Sequence, residues 1–250
     1  MESSPRPLAL ITGGSRGLGY ESAKALRARG FDLILIAKDS ERLAKAQSNL
    51  LSDGGSGNVD GYSIDLENPI ATSAALETIA TQHPEIRQLI LAHGVMSEKM
   101  SKTLKTHDAE WRRVMSINLD SVFQIVNRLA PALVEARNGR IIIFSACLGR
   151  MSGPGNAGGL APYRISKAGV NALVRNLAHE TGLGARGVLV DAICPNHSRT
   201  DMGGPDAPLS AEEGAETAVW LATREFDKES ADFQKNTTGV LWEDHQIVPW

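Results

Sequence analysis

The sequence predicts a doubly wound α/β fold, a parallel sheet of about seven strands with helices on both faces, on three observations. Short, continuously apolar runs such as Leu33–Ala37, Gly139–Phe144 and Val188–Cys194 recur along the chain. Segments with apolar residues at helical spacing separate them. A glycine-rich turn joins the first run to the first helical segment. Strands apolar on both faces need cover on both sides, and alternation with helices makes their connections parallel crossovers.

In chain order, Leu8–Thr12 reads as the first strand, broken by Gly13 and Gly14, and the pattern from Leu18 to Arg29 as the first helix. Leu33–Ala37 is the second strand, Ser40–Leu51 a helix, and Val59–Ile64 the third strand after a loop at 52–57. Pro69–His83 is helical, with its proline tolerated in the first turn. Leu89–Ala92 is the fourth strand, followed by helical segments from about Asp108 to Glu135. Gly139–Phe144 is the fifth strand, Ala161–Thr181 a long helix and Val188–Cys194 the sixth strand. Ser210 and Glu213 have the spacing of a capping box and open a helix to about Thr223, before a last strand around Gly239–Trp242. The stretch 152–160 reads as a loop, because the alternation continues unchanged beyond it. One domain over 1–250 is expected, with 1–6 a flexible lead.

The chain has 250 residues, with 29 acidic against 26 basic side chains, a net charge of −3, 42% hydrophobic and 22% charged residues. Such a balance leaves no basic face for nucleic acid or anionic membrane and points to a small-molecule partner. No stretch approaches the roughly 18–20 apolar residues that cross a bilayer, nor the apolar core of a signal peptide. The two cysteines, Cys147 and Cys194, lie far apart in sequence. They indicate neither a disulfide framework nor a metal cluster, so a cytoplasmic setting is expected.

Two motifs carry chemistry. After the first strand, Gly13, Gly17 and Gly19 allow a tight turn, a close approach to phosphate and close helix packing, while Ser15, Arg16 and Leu18 bring the helix N-terminus to the same place. Strand, turn and helix in that order are the context a dinucleotide site requires. Much later, Tyr163 and Lys167 put a phenol and an ammonium on one helical face. A cation beside a phenolate stabilises it and eases proton transfer near neutral pH.

With Asn118-Leu119 and the Pro195 to Thr200 segment, these motifs make the chain, from about residue 7 to 250, resemble the short-chain dehydrogenase/reductase family. The Thr200–Pro205 stretch and the closing Ile247–Trp250 are similar to its carbonyl-reductase-like branch. The resemblance implies a Rossmann-type fold and NAD(P)-dependent interconversion of carbonyl and alcohol. Tyr163 would donate the proton, Lys167 would lower its pKa and hold the cofactor ribose, and Asn118 would sustain a relay water. Asp65 and Leu66 would contact the adenine, and Ala92, Gly94, Ser198 and Thr200 would complete the cofactor site. Strand two ends in Lys38 rather than an acid, and with Arg16 this favours a 2′-phosphate, hence NADPH. Family members often pair through helices around 118–136 and 161–181, and the branch leaves a monomer or a homodimer open.

Three departures qualify the resemblance. Family members end the fifth strand in two serines, two further residues and a glycine, and the second serine orients the substrate carbonyl. Counting back from Gly149, that position is Ala146, with Ser145 before it. Adjacent strand residues face opposite ways, so Ser145 replaces it only through a local shift. One lost donor of this kind costs about a hundred- to a thousand-fold in rate. His93 stands beside the nicotinamide end, as a ligand-facing donor or a satisfied structural histidine, and His197 stands near the substrate or faces solvent. The leading reading is an NADPH-dependent reductase acting on a carbonyl or imine. The alternatives are a cofactor-assisted isomerase or cyclase, with histidines as acid/base groups, and a non-catalytic nucleotide-binding protein.

Overall fold

A computed structural model describes residues 6–98, 101–153 and 157–250. The lead at 1–5 and part of the 152–160 loop lie outside the described residues. Arg6, expected within the flexible lead, instead hydrogen-bonds the Ser56 carbonyl and lies 3.9 Å from Asp32.

Eight strands form one sheet: β1 (Leu8–Thr12), β2 (Asp32–Ala37), β3 (Val59–Ser63), β4 (Ile86–Leu91), β5 (Gly139–Phe144), β6 (Val188–Ile193), β7 (Leu241–Glu243) and β8 (Gln246–Val248). Their order is β3-β2-β1-β4-β5-β6-β7-β8. All neighbours are parallel except the last pair. This is the expected doubly wound, Rossmann-type arrangement, and its order reverses between β1 and β4. Ligands enter such sheets at that reversal, outside the carboxyl ends of the strands.

The eighth strand was not expected. A two-residue turn at Asp244 and His245, with φ of 47° and 61°, folds β8 back on β7. Both residues sit in the left-handed region that hairpin turns need, without the glycine that advertises such a turn. The expectation of strands apolar on both faces also fails at β3, whose Asp60 and Gly61 are exposed, because an edge strand need not be covered.

Two apolar layers sandwich the sheet. On one side α3 (Pro69–Gln82), α5 (Ser121–Glu135) and α6 (Ala161–Glu180) bury Leu76, Ile79, Ile125, Leu129, Val170 and Val174 against Leu10, Ile141 and Val190. On the other, α1 (Gly17–Ala28), α2 (Ser40–Ser52) and α7 (Ala211–Thr223) bury Leu26, Leu43, Leu50 and Val219 against Ile11, Leu35 and Ile142. Ser210 and Glu213 form the expected capping box of α7. A short α8 (Phe233–Asn236) precedes β7.

The helical stretch 108–135 is α4 (Asp108–Met115), a π-helical turn at Ser116–Asp120 and α5, in one unbroken run. Asn118 sits inside the wide turn. Single π turns commonly mark functional sites, because the extra residue displaces backbone groups from the regular ladder.

Candidate active site

A cleft of about 520 Å³ opens at the carboxyl ends of β1, β2, β4 and β5. Its floor is the 13–19 turn, one end lies between Lys38, Arg42 and Asp65–Glu67, and the other reaches Ser145, Tyr163 and Pro195. Arg199–Met202, after β6, form its cover.

Gly13 has a φ of +67°, and a Cβ there would lie 3.2 Å from the His93 backbone. A Cβ at Gly19 would lie 2.4 Å from the Gly13 carbonyl oxygen, so only glycine lets α1 approach the strand end so closely. No side chain caps the N-terminus of α1, whose free N–H groups and positive dipole end face the cleft floor. These features suit a diphosphate.

The expected 2′-phosphate cations are present but not free. Lys38 Nζ lies 2.7 Å from Asp65 and 4.0 Å from Glu67, and Arg16 pairs with Asp201. The hydrogen bond with Asp65 raises the Lys38 pKa; burial pushes the Asp65 carboxyl up, but the Lys38 contact outweighs it and the net direction is down. Asp65, expected only as an adenine contact, thus also pairs with the cation at the end of strand two. Both pairs are exposed, hence weak and exchangeable for a phosphate. Arg42, paired with Asp39 at 3.7 Å on the first turn of α2, adds a cation that motif reading missed, because only folding brings α2 to this rim.

At the other end, Tyr163 and Lys167 are both buried on α6. Lys167 Nζ donates to the Phe144 carbonyl at 2.6 Å and lies 6.0 Å from the Tyr163 ring centroid. Burial lowers its pKa to about 8, leaving it mostly protonated at neutral pH. The Tyr163 phenol is pushed up, first by burial and then by the neighbouring Cys194 and Cys147. The expected lowering by Lys167 is not found: its ammonium is anchored on a carbonyl, and burial governs the phenol. A Cβ added at Gly94 would lie 3.4 Å from both Asn118 Oδ1 and Lys167 Nζ, so these three positions converge beside the cleft.

The Asn118 amide is fully engaged. Its Nδ2 donates to the Val95 carbonyl at 2.9 Å and Ser166 Oγ at 3.1 Å, and its Oδ1 accepts from Val95 N–H at 2.8 Å. Ser166 in turn donates to the Tyr163 carbonyl, a link that sequence reading missed because a serine inside a helix carries no motif.

Five candidates are engaged with partners inside the protein, and for His93 this is the satisfied structural alternative. Ser145 lines the cleft, but it donates its hydroxyl to Asn171 Oδ1 at 2.5 Å and approaches the Lys167 carbonyl at 3.3 Å, so that hydroxyl joins β5 to α6. His93 is buried with Nδ1 2.6 Å from Thr12 Oγ1 and Nε2 2.8 Å from Ser121 Oγ. Because Ser121 gives its own proton to the Ile117 carbonyl, Nε2–H donates and Nδ1 accepts, and neither nitrogen is left for a ligand. Burial, then the Lys167 charge, lowers the His93 pKa to about 3 and keeps the ring neutral. His197 binds the Gly203 carbonyl at 2.7 Å through Nε2, holding the cover loop. Ser198 is buried and donates to the Pro195 carbonyl, while Thr200 lines the cleft and accepts from Gly203 N–H within the cover.

Ala146 is buried, with extended φ and ψ of −160° and 152°, and begins a 3₁₀ turn at Cys147–Gly149. Among the described residues no His, Cys, Asp or Glu cluster could hold a metal, and no helix is long and apolar enough to cross a membrane.

The family model for short chain dehydrogenases matches residues 7–208. Over 195 residues, 78% of this chain and 75% of the relative, the sequence is 34% identical to the 3-oxoacyl-(acyl-carrier-protein) reductase of Escherichia coli (strain K12). The corresponding Synechocystis reductase is 29% identical over 196 residues, with the same shares covered. Among solved structures, a metagenomic short-chain oxidoreductase in complex with NADP superposes with a TM-score of 0.74 at 26% identity, covering 90% of this chain and 93% of that one. A short chain dehydrogenase from Pseudomonas syringae gives a TM-score of 0.81 at 20% identity over 94% and 93%. A matched model spanning most of the chain, a relative above 30% identity and the glycine turn and Tyr163–Lys167 pair in one cleft lead to one conclusion: the chain belongs to the short-chain dehydrogenase family.

Proposed function

We propose that the protein is an NADPH-dependent oxidoreductase of the carbonyl-reductase-like kind, reducing a small-molecule carbonyl or imine with Tyr163 as proton donor. The observation that carries this reading is the continuity of the cleft. It runs from a rim of Lys38 and Arg42, across the uncapped N-terminus of α1, to the Tyr163 end. The similarity to a carbonyl-reducing relative and to an oxidoreductase in complex with NADP supports it.

In this reading Arg16, Lys38 and Arg42 exchange their exposed carboxylate partners for a 2′-phosphate, and the α1 N-terminus holds the diphosphate. Asp65 and Leu66 border the adenine, while Ala92 and Gly94 flank the nicotinamide end. NADPH, when bound, supplies the hydride. Tyr163 keeps its proton in the resting site because burial disfavours the phenolate, and releases it to the far more basic alkoxide that forms on the substrate. Lys167, anchored on the Phe144 carbonyl, keeps its other N–H groups for the ribose and places a positive charge beside the phenolate left behind. Asn118, whose amide is locked, contributes the shape of the π turn and a seat for a relay water.

The test is NADPH consumption across a panel of activated ketones and imines. Wild type is expected to turn over at least one class, and Tyr163→Phe to abolish turnover with cofactor affinity within a few-fold. Full activity in Tyr163→Phe, or no consumption by wild type that demonstrably binds NADPH, refutes the proposal.

A further inference from the structure

The two cysteines, 47 positions apart in sequence, meet in the fold. Cys147 opens the 3₁₀ turn after β5, and Cys194 follows β6, the strand paired with β5 up to Phe144 and Ile193. The Cys147 N–H donates to Cys194 Sγ at 3.0 Å, and the two thiols hydrogen-bond each other. Cys194 is buried, whereas Cys147 is partly exposed. The arrangement gives one reachable thiol with a second, protected thiol behind it.

We propose that Cys147 and Cys194 form an oxidative modification site, in which Cys147 reacts with a hydroperoxide and Cys194 resolves the product as an intramolecular disulfide. The local chemistry distinguishes the two roles. The Cys194 hydrogen bond, with help from the Arg150 charge, holds the Cys147 thiol down at about 6 despite burial and the opposing Glu243 carboxylate. Cys147 therefore ionises more readily than an ordinary cysteine, and the thiolate is the nucleophile. Cys194 is pushed the other way, first by its hydrogen bond to Cys147, then by burial and by the Cys147 charge.

The chemistry proceeds in two displacements. The Cys147 thiolate attacks one oxygen of the hydroperoxide, an S–O bond forms, the O–O bond breaks, and the departing alkoxide takes a proton to leave as an alcohol or water. The charge and hydrogen bond that opposed ionisation of Cys194 are then gone. Cys194 sulfur attacks the sulfenic sulfur, the S–S bond forms, and the hydroxyl leaves as water with the proton from Cys194. Two thiols lose two electrons in all, and the peroxide bond gains them. The product ties the end of β5 to the end of β6, on either side of Ala146 and Pro195.

The site stands independently of the proposed reductase activity, and its test reads mass rather than turnover. The folded chain is treated with hydrogen peroxide, denatured and alkylated with N-ethylmaleimide. Wild type is expected to lose both maleimide additions, to yield a cross-linked Cys147–Cys194 peptide, and to regain both additions after dithiothreitol. With dimedone present during oxidation, Cys194→Ser should carry the adduct on Cys147, and Cys147→Ser should carry none. Retention of both additions after peroxide, or a dimedone adduct on Cys194, overturns the assignment. A fold-independent control is wild type oxidised in denaturant. Equal cross-linking rates in the folded and denatured chain would mean that the structure contributes nothing.

Discussion

Ala146→Ser is the sharpest probe of the site. Ser145 turns its side chain to Asn171 on α6, and Ala146 continues in an extended conformation, so its Cβ projects to the opposite side. In the proposed reaction a hydroxyl there is expected to stand where a substrate oxygen gains charge. A well-placed donor of this sort contributes about 2.7–4 kcal/mol to the transition state. Against it stands the burial of a hydroxyl at a position only 8% exposed, about 1–3 kcal/mol when it lacks a partner. The midpoints differ by about 1.4 kcal/mol, which predicts about a tenfold gain in kcat on activated ketones. The assay is kcat/KM with NADPH for wild type, Ala146→Ser, His197→Ala and His93→Ala on one ketone panel. His93 and His197 are engaged with protein partners, so His197→Ala should alter KM through the cover loop, and His93→Ala should lower Tm before it lowers kcat. An Ala146→Ser enzyme that binds NADPH, keeps its Tm and shows no rate gain would refute the placement of residue 146 at the reacting carbonyl.

Three further outcomes are expected. Lys38→Asp sets a third carboxylate beside Asp65 and Glu67 and should cut the NADPH-to-NADH affinity ratio by about tenfold or more; titration with each cofactor measures it, and an unchanged ratio removes Lys38 from the phosphate site. The folded His93 resists protonation down to about 3 while the unfolded chain takes a proton near 6.5, so its stability contribution is full above pH 6.5 and is lost as pH falls toward 3. His93→Asn should therefore flatten Tm against pH across that window, and parallel curves for the two proteins would contradict the buried neutral ring. Asp191→Asn leaves the buried Arg224 guanidinium, 3.0 Å away and stacked against Trp220 and Trp242, without its counter-charge. The loss should be about 3–5 kcal/mol by denaturant unfolding, and a change within error would show that the ion pair is dispensable.

The sheet and the Tyr163–Lys167 pair were legible because each is local. A continuous apolar run such as Leu33–Ala37 can hardly be anything but a covered strand, and Tyr163 and Lys167 share a helical face by spacing alone. What escaped was set by contacts between distant segments. Nothing near Lys38 in the chain announces Asp65, and nothing near His93 announces that Thr12 and Ser121 enclose its ring from two other elements. Cys147 and Cys194 looked unrelated for the same reason, since their meeting depends on the pairing of β5 with β6. The β8 hairpin was missed on different grounds: its turn uses Asp and His in a conformation that glycine normally signals.

The π turn at 116–120 uncouples the geometry around Asn118 from the packing of the core. One extra residue in a helix rotates everything after it by about 100°. The wide turn takes up that rotation, so α5 still buries Val122, Ile125, Val126, Leu129 and Leu133 while Asn118 reaches Val95 and Ser166; deleting one residue would let the run close into an ordinary helix that keeps α5 in register but releases Asn118. A deletion in the turn would therefore alter the surroundings of Asn118 while sparing the packed face of α5, so this part of the cleft can vary without cost to the core.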